Sequence, residues 1–153
     1  MEKRHIALEA INRAIEINTD RIAGYEKAME IISKESDNEL QATFKTYRDQ
    51  SVQFRSELLE FIQVVGGNAD KGSKLSGKFF RIWMDIKSSV APLASKTVLE
   101  SCEKGEEEFR RIYLEILQEI QGQASDLADI LQGHLVTQQG AYDYIKEHSG
   151  DLV

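Results

Sequence analysis

Apolar side chains recur at alternating spacings of three and four along four long stretches of this chain. The first stripe reads Leu8, Ile11, Ile15, Asn18, Ile22, Tyr25, Met29, Ile32. The second reads Leu40, Phe44, Tyr47, Ser51, Phe54, Leu58, Phe61, Val65. The third reads Leu99, Cys102, Glu106, Phe109, Tyr113, Ile116, Ile120, and the last Leu127, Leu131, His134, Gln138, Ala141, Ile145. That period belongs to helices that bury one face against each other, so four facing helices are predicted. Each stripe carries a polar interruption close to mid-helix: Asn18, Ser51, Glu106 and Gln138. These four are expected to meet near the bundle centre. Helical bundles keep their metal sites in that layer, so it is the first place to look for chemistry.

The breaks between stripes set the organisation. Helix A is predicted from about His5 to Ser33. The string Ser36-Asp37-Asn38-Glu39 is a capping-box pattern, in which a serine oxygen and a glutamate satisfy the orphan amides of a new helix. Helix B follows, from about 37 to 65, and Gly66-Gly67 supplies a left-handed stop. The stretch 66–95 opens with Gly, Asn, Lys and Ser, holds a short amphipathic helix over about 77–89, and ends at Pro92 and its neighbours. Helix C is predicted over about 96–120 and Gly122 breaks it; Ser125 then caps helix D, over about 125–148. The A–B and C–D connections are short, which makes each pair antiparallel neighbours, whereas the B–C connection is long. Two hairpins joined by one long crossover is the ferritin-like topology, as distinct from a simple up-and-down bundle.

Composition narrows the function classes. The 153 residues form one domain, 1–153, large enough to bury a core, and a single proline with a 41% hydrophobic fraction suits a soluble all-helical protein. A formal charge of −7 argues against nucleic acid, whose phosphates would be repelled. Cys102 is the only cysteine, so no internal disulfide can form, which is compatible with a reducing compartment. The opening Met-Glu-Lys-Arg-His leads into an amphipathic helix without the apolar core of a secretory signal, and no apolar run is long enough to span a bilayer. A cytoplasmic location is the expectation.

Several local strings point to a family. On helix A, Ile15-Glu16-Ile17-Asn18-Thr19-Asp20 is followed by Gly24-Tyr25 and Ala28. The crossover carries Arg81-Ile82-Trp83-Met84-Asp85-Ile86-Lys87, and helix C carries Cys102-Glu103-Lys104-Gly105-Glu106 with Tyr113 seven positions on. Together with Gly66-Gly67, these resemble a bacterial family of ferritin-like four-helix-bundle proteins, the domain of unknown function 2383 family, over about residues 8–145. The resemblance implies a ferritin-like fold and supplies no activity. A His-Asp pair common late in the family's last helix is matched here by Tyr142-Asp143.

A ferritin-like di-metal centre needs a Glu from each of two helices and a Glu-x-x-His from each of the other two, because two hard cations need several anionic oxygens. Redox-active ferritin-like proteins commonly place the helix-A glutamate seven residues before a tyrosine; here that position is Asn18, seven before Tyr25. The helix-B pair falls near Gln50-x-x-Gln53, two neutral amides. Helix C offers Glu103-x-x-Glu106. Helix D offers His134 with Leu131 three residues before it, and the chain's one Glu-x-x-His, Glu2-x-x-His5, lies far from any centre. Glu103, Glu106 and His134 are therefore candidates for one divalent ion of Fe, Mn or Zn, well short of a di-metal set. The competing reading is structural. Asn18, Gln50, Ser51, Gln53, Glu106 and Gln138 form a central polar layer that fixes helix register through buried hydrogen bonds. Glu106 is then neutral or amide-paired, and His134 is a hydrogen-bonded residue at the edge of the core.

The crossover helix has its own apolar face, Leu75, Phe79, Phe80, Trp83, Ile86 and Val90, bordered by Lys78, Arg81 and Lys87. It either caps the bundle or offers Phe79, Phe80 and Trp83 as an interface, since aromatics flanked by Arg suit an interface core. The sequence thus reads as an all-α protein, a ferritin-like antiparallel four-helix bundle with a long crossover carrying a short extra helix. The expected role is a non-enzymatic binding or assembly protein, with stress physiology suggested by ferritin-like analogy alone. It works with a protein partner or by self-association as a monomer or dimer, with no cofactor, no nucleic acid and no transmembrane segment. The alternative is a metal-dependent redox or iron-handling protein with a remodelled central site.

Overall fold

The computed structural model describes residues 2–33, 38–66 and 94–151. They form four helices and, among the described residues, no strand: α1 (Glu2–Ile32), α2 (Asn38–Val64), α3 (Ala94–Glu119) and α4 (Ser125–Asp151). The crossover helix expected over 77–89, the capping serine Ser36, and Phe79, Phe80 and Trp83 lie outside the described residues.

Cross-helix contacts fix both the neighbours and the directions. Along α1, residues 13, 18 and 21 meet residues 115, 113 and 106 of α3, so these two run antiparallel. Residues 19, 21 and 26 of α1 meet 55, 51 and 48 of α2, again antiparallel. On the other side, Tyr113 and Glu107 of α3 meet His134 and Tyr142 of α4, and Tyr47 and Glu57 of α2 meet Tyr144 and His134 of α4. Every adjacent pair is antiparallel, so the order around the bundle is α1, α2, α4, α3. The diagonal helices α2 and α3 then point the same way, and the end of α2 and the start of α3 lie at opposite ends of the bundle. The long connection between them has this geometric cause.

The stripes pack as their period dictates. All six stripe residues of α3, Ile120 just beyond its end, and all six stripe residues of α4 are buried. Burying a Leu, Ile, Phe or Met side chain is favourable by about 1.5–3 kcal/mol each, so a stripe of this length decides which face turns inward. On α2 the last turn departs from the pattern: Ile62 is buried where Phe61 and Val65 are half-buried. Leu8 and Met29 on α1 are likewise half-buried. Helix α1, which packs against both α2 and α3, buries a second row beside the first: Ala7, Ala14, Arg21 and Ala28, each seven residues from the next.

Helix ends follow local chemistry. Gly66 has φ 80°, the left-handed stop that an L side chain rarely takes, and its amide closes on the Gln63 carbonyl at 3.0 Å. Gly122 (φ 77°) turns the chain between α3 and α4 in the same way. Ser125 is the first residue of α4 and not its cap; the Ala124 carbonyl before it accepts the first intrahelical bond, from Ala128 at 2.9 Å. Among the described residues, no helix is long and apolar enough to cross a membrane.

Candidate functional site

The centre of the bundle is built around a residue the stripes do not flag. Arg21 projects inward from α1 with its side chain wholly buried, opposite the equally buried Glu106 of α3. The pair is two-pronged: Arg21 Nε donates to Glu106 Oε1 and Nη2 to Oε2, both at 2.8 Å. The guanidinium fork also donates from Nη1 to Ser51 Oγ at 2.9 Å and from Nη2 to Gln50 Oε1 at 3.1 Å. Its plane lies over two aromatic rings, 5.5 Å from the Tyr25 centroid and 5.3 Å from that of Phe109. Arginine suits this place because its planar, delocalised charge is weakly hydrated and its fork matches a carboxylate.

Glu106 is saturated by the same arrangement. Tyr25 donates its hydroxyl to Oε2 at 2.7 Å, and Gln138 Nε2 donates to the Glu106 carbonyl at 3.1 Å and more distantly to Oε1 at 3.4 Å. Gln138 is held in turn by Arg110, whose Nη1 donates to its Oε1 at 3.1 Å. Burial and the Glu106 charge both push the Tyr25 phenol well above its ordinary range, which keeps it a donor. Burial would lower the Arg21 guanidinium, but the Glu106 charge and hydrogen bonds outweigh it and raise it further. Burial, with Glu106 adding, also holds the Cys102 thiol well above its usual range, so this lone cysteine behaves as an apolar core residue.

A second polar layer lies about one helical turn away along α1. Asn18 uses both amide hydrogens, Nδ2 donating to the Ala14 carbonyl and to Tyr113 Oη, each at 2.8 Å. Tyr113 Oη is 2.9 Å from His134 Nδ1, and His134 Nε2 is 2.9 Å from Glu57 Oε1. Glu57, whose carboxyl is held below its ordinary value, can only accept as a carboxylate, so neutral His134 carries its hydrogen on Nε2 and donates it there; its bare Nδ1 then accepts from the Tyr113 hydroxyl, which itself accepts from Asn18. Gln53 Nε2 fixes the far oxygen of Glu57 at 2.9 Å, and Phe54 stacks on the imidazole with centroids 4.1 Å apart. Burial holds His134 below its ordinary value against the opposing pull of Glu57. Burial raises the Glu57 carboxyl, but hydrogen bonds from Gln53 and His134 prevail and leave it lowered. Asn18 Oδ1 is buried and has no hydrogen-bond partner among the described residues.

The four polar interruptions thus divide between layers. Ser51, Glu106 and Gln138 do share one, but only through Arg21; Asn18 belongs to the next, with Tyr113 and His134. Gln50 is half-buried at the rim of the first layer. Gln53 is a correction to the expected layer: it is exposed, because two residues of α2 carry it about 200° around the helix from Ser51. The three metal candidates are not brought together either. Glu106 is taken by Arg21, His134 by Tyr113 and Glu57, and Glu103, half-buried, joins neither layer. Among the described residues no group of three or more His, Cys, Asp or Glu could hold a metal ion. Glu106 is also neither neutral nor purely amide-paired, since an arginine answers it. One signal could have found Arg21: the other members of its seven-residue row, Ala7, Ala14 and Ala28, are all small, and an inward Glu106 demands a cation.

Chemically, the first layer is a closed ion pair with its hydrogen-bonding capacity met from within. The second is a hydrogen-bonded path from a solvent-facing carboxylate to the core.

Residues 6–119 match the profile of a family described as Domain of unknown function (DUF2383). The match takes in α1, α2 and α3 with Arg21 and Glu106, and ends with α3, so His134 and Gln138 on α4 lie beyond it. No curated protein matches the chain.

Proposed function

Since the chain belongs to the DUF2383 family, whose description names no activity, we propose from the bundle's own chemistry that it is a non-enzymatic binding or assembly protein of ferritin-like ancestry. The observation that carries this reading is the buried guanidinium on Glu106. A ferritin-like centre collects anionic ligands around cations. Here the inward carboxylate is already neutralised by a cation belonging to the fold, and that fixed positive charge opposes a metal ion at the same spot. The bundle then acts as a scaffold, and recognition falls to its outer surfaces. The crossover sequence around Phe79, Phe80 and Trp83 has the composition of an interface core, aromatic residues beside Arg81. A bacterial setting goes with the family resemblance, a cytoplasmic one with the lone Cys102, and a part in stress physiology with ferritin-like analogy alone.

The test loads purified protein anaerobically with Fe(II), Mn(II) or Zn(II), removes free metal, and measures bound metal in wild type and Glu106→Ala. Light scattering of wild type and Trp83→Ala at matched concentrations runs alongside. The proposal expects no stoichiometric metal in either protein and a wild-type assembly mass that Trp83→Ala lowers. About one metal per chain in wild type, lost in Glu106→Ala, would overturn it in favour of iron handling or redox chemistry. Identical masses for wild type and Trp83→Ala would remove the crossover as the interface.

A further inference from the structure

The second polar layer joins the two hairpins twice at one level. Glu57 (α2) meets His134 (α4), and Asn18 (α1) meets Tyr113 (α3). Between these two ties runs one chain of hydrogen bonds, Glu57–His134–Tyr113–Asn18, with successive distances of 2.9, 2.9 and 2.8 Å. Its outer end is wet and its inner end dry: the Glu57 side chain is 42% exposed, His134 4%, and Tyr113 and Asn18 are wholly buried. The chain also has a direction. Hydrogens point from Asn18 to Tyr113, from Tyr113 to His134, and from His134 to Glu57. Asn18 Oδ1, beside the inner end, is a buried acceptor with no donor among the described residues.

We propose that this chain is a proton-operated latch between the hairpins, in which one proton taken by His134 reverses the hydrogen bonds on both sides of Tyr113 and turns the Asn18 amide, so that the inner tie is remade with Asn18 accepting and the Asn18 bond to the Ala14 carbonyl is lost. The reversal follows from counting hydrogens. Protonated His134 carries hydrogens on both ring nitrogens. Nε2 still donates to Glu57, now as a charged pair, so the outer tie strengthens. Nδ1 must donate to Tyr113 Oη, and the Tyr113 hydrogen that occupied that contact has to leave. The acceptor at hand is the Asn18 amide oxygen. To receive that hydrogen the amide must turn, giving up the Nδ2 bonds to the Ala14 carbonyl and to Tyr113 as they stand. Nothing is transferred beyond the single proton, which comes from solvent and stays on the imidazole.

Other charged groups among the described residues frame the site. From α2 the charged group facing His134 is Glu57. From α3 they are Tyr113, which titrates only at high pH, and Arg110, whose Nη1 reaches the Leu135 carbonyl and Gln138 on the His134 helix. From α1, Arg21 acts on Tyr113 and is committed to Glu106. Of these groups Glu57 acts on His134 directly, and its charge favours the imidazolium. His134 has its pKa lowered by folding, chiefly through burial. The stability of the neutral arrangement is therefore fully present above the ordinary histidine value near 6.5 and is lost as pH falls through the lower folded value.

The test is an NMR titration of uniformly labelled wild-type protein from pH 8 to pH 4. It follows the His134 ring nitrogens and the Asn18 side-chain amide, with Tyr113→Phe and Glu57→Gln as variants. Expected at pH 8 is the tautomer with hydrogen on Nε2. On acidification the Asn18 amide should shift with the same midpoint as His134, below 6.5. In Tyr113→Phe, His134 titrates and the Asn18 amide no longer follows. In Glu57→Gln, both midpoints fall together, by roughly one pH unit, as the favouring charge is lost. Should Tyr113→Phe not fold, the paired movement in Glu57→Gln carries the test. The latch is overturned by hydrogen on Nδ1 at pH 8, by an Asn18 amide that ignores the His134 titration in wild type, or by a His134 that stays neutral down to unfolding. Metal binding and assembly do not enter these readouts, so the outcome is independent of the proposed function.

Discussion

Arg21 and Glu106 face each other across the α1–α3 contact as a two-pronged ion pair, 85 residues apart in sequence, with no solvent exposure on either side chain. The pair ties the first hairpin to the second at the centre of the bundle, and Ser51, Gln50, Tyr25 and Gln138 complete its hydrogen bonding. A buried pair of this kind is a weak source of net stability, because removing two charges from water cancels much of their attraction. It is a strong source of specificity, since either charge left alone in the same place is costly.

That asymmetry gives the first prediction. Arg21→Met and Glu106→Met should each destabilise the protein by about 3–5 kcal/mol, because each strands one buried charge. The double variant should lose less than either single one. Urea denaturation of the four proteins measures this, and strictly additive losses would show that the pair is not a coupled unit.

Tyr113→Phe removes only a hydroxyl, yet it takes an acceptor from Asn18 and the donor from His134 Nδ1. The expected cost is about 1–3 kcal/mol at pH 8, the penalty of leaving buried polar groups unpaired. Thermal or urea unfolding at that pH checks it, and an unchanged midpoint would mean that the layer relaxes around the loss.

Asp20 predicts a pH dependence of opposite sense to that of His134. Burial, and then the neighbouring Glu16 charge, raise its carboxyl to about 7. A raised carboxyl binds its proton more tightly in the folded state, so its effect is absent below the unfolded value and grows into a loss of stability as pH climbs to about 7. Asp20→Asn should therefore gain stability over wild type at pH 8 and show little difference at pH 4. A gain that does not change with pH would assign the effect to something other than this ionisation.

Gly122 isolates backbone strain. A Cβ built there meets nothing within 4 Å, but φ is +77°. Gly122→Ala should cost about 1–2 kcal/mol from the left-handed backbone alone, and Gly122→Asn less, because asparagine tolerates that region better. Equal stability of Gly122→Ala and wild type in urea would show that the α3–α4 turn re-forms with another geometry.

Much of the fold is written in the sequence because it follows from local period. Spacings of three and four fix a helix and its inward face together, and the full burial of the α3 and α4 stripes follows from that. The positive φ of Gly66 is equally local, as is the antiparallel pairing forced by short turns. The centre is different. Asn18, Ser51, Glu106 and Gln138 look equivalent in one dimension, yet only three of them share a layer, because axial level depends on how α1 and α3 register across a contact spanning 85 residues. Arg21 could not be assigned from its own helix alone, where arginine by default faces water; the small residues of its row become a signal only beside an inward Glu106. Glu106, arriving from α3, supplies the charge that makes its burial tolerable. Local sequence therefore determined which faces turn inward, while tertiary structure alone decided which polar groups meet, since each buried charge is stable only where a distant helix brings its partner.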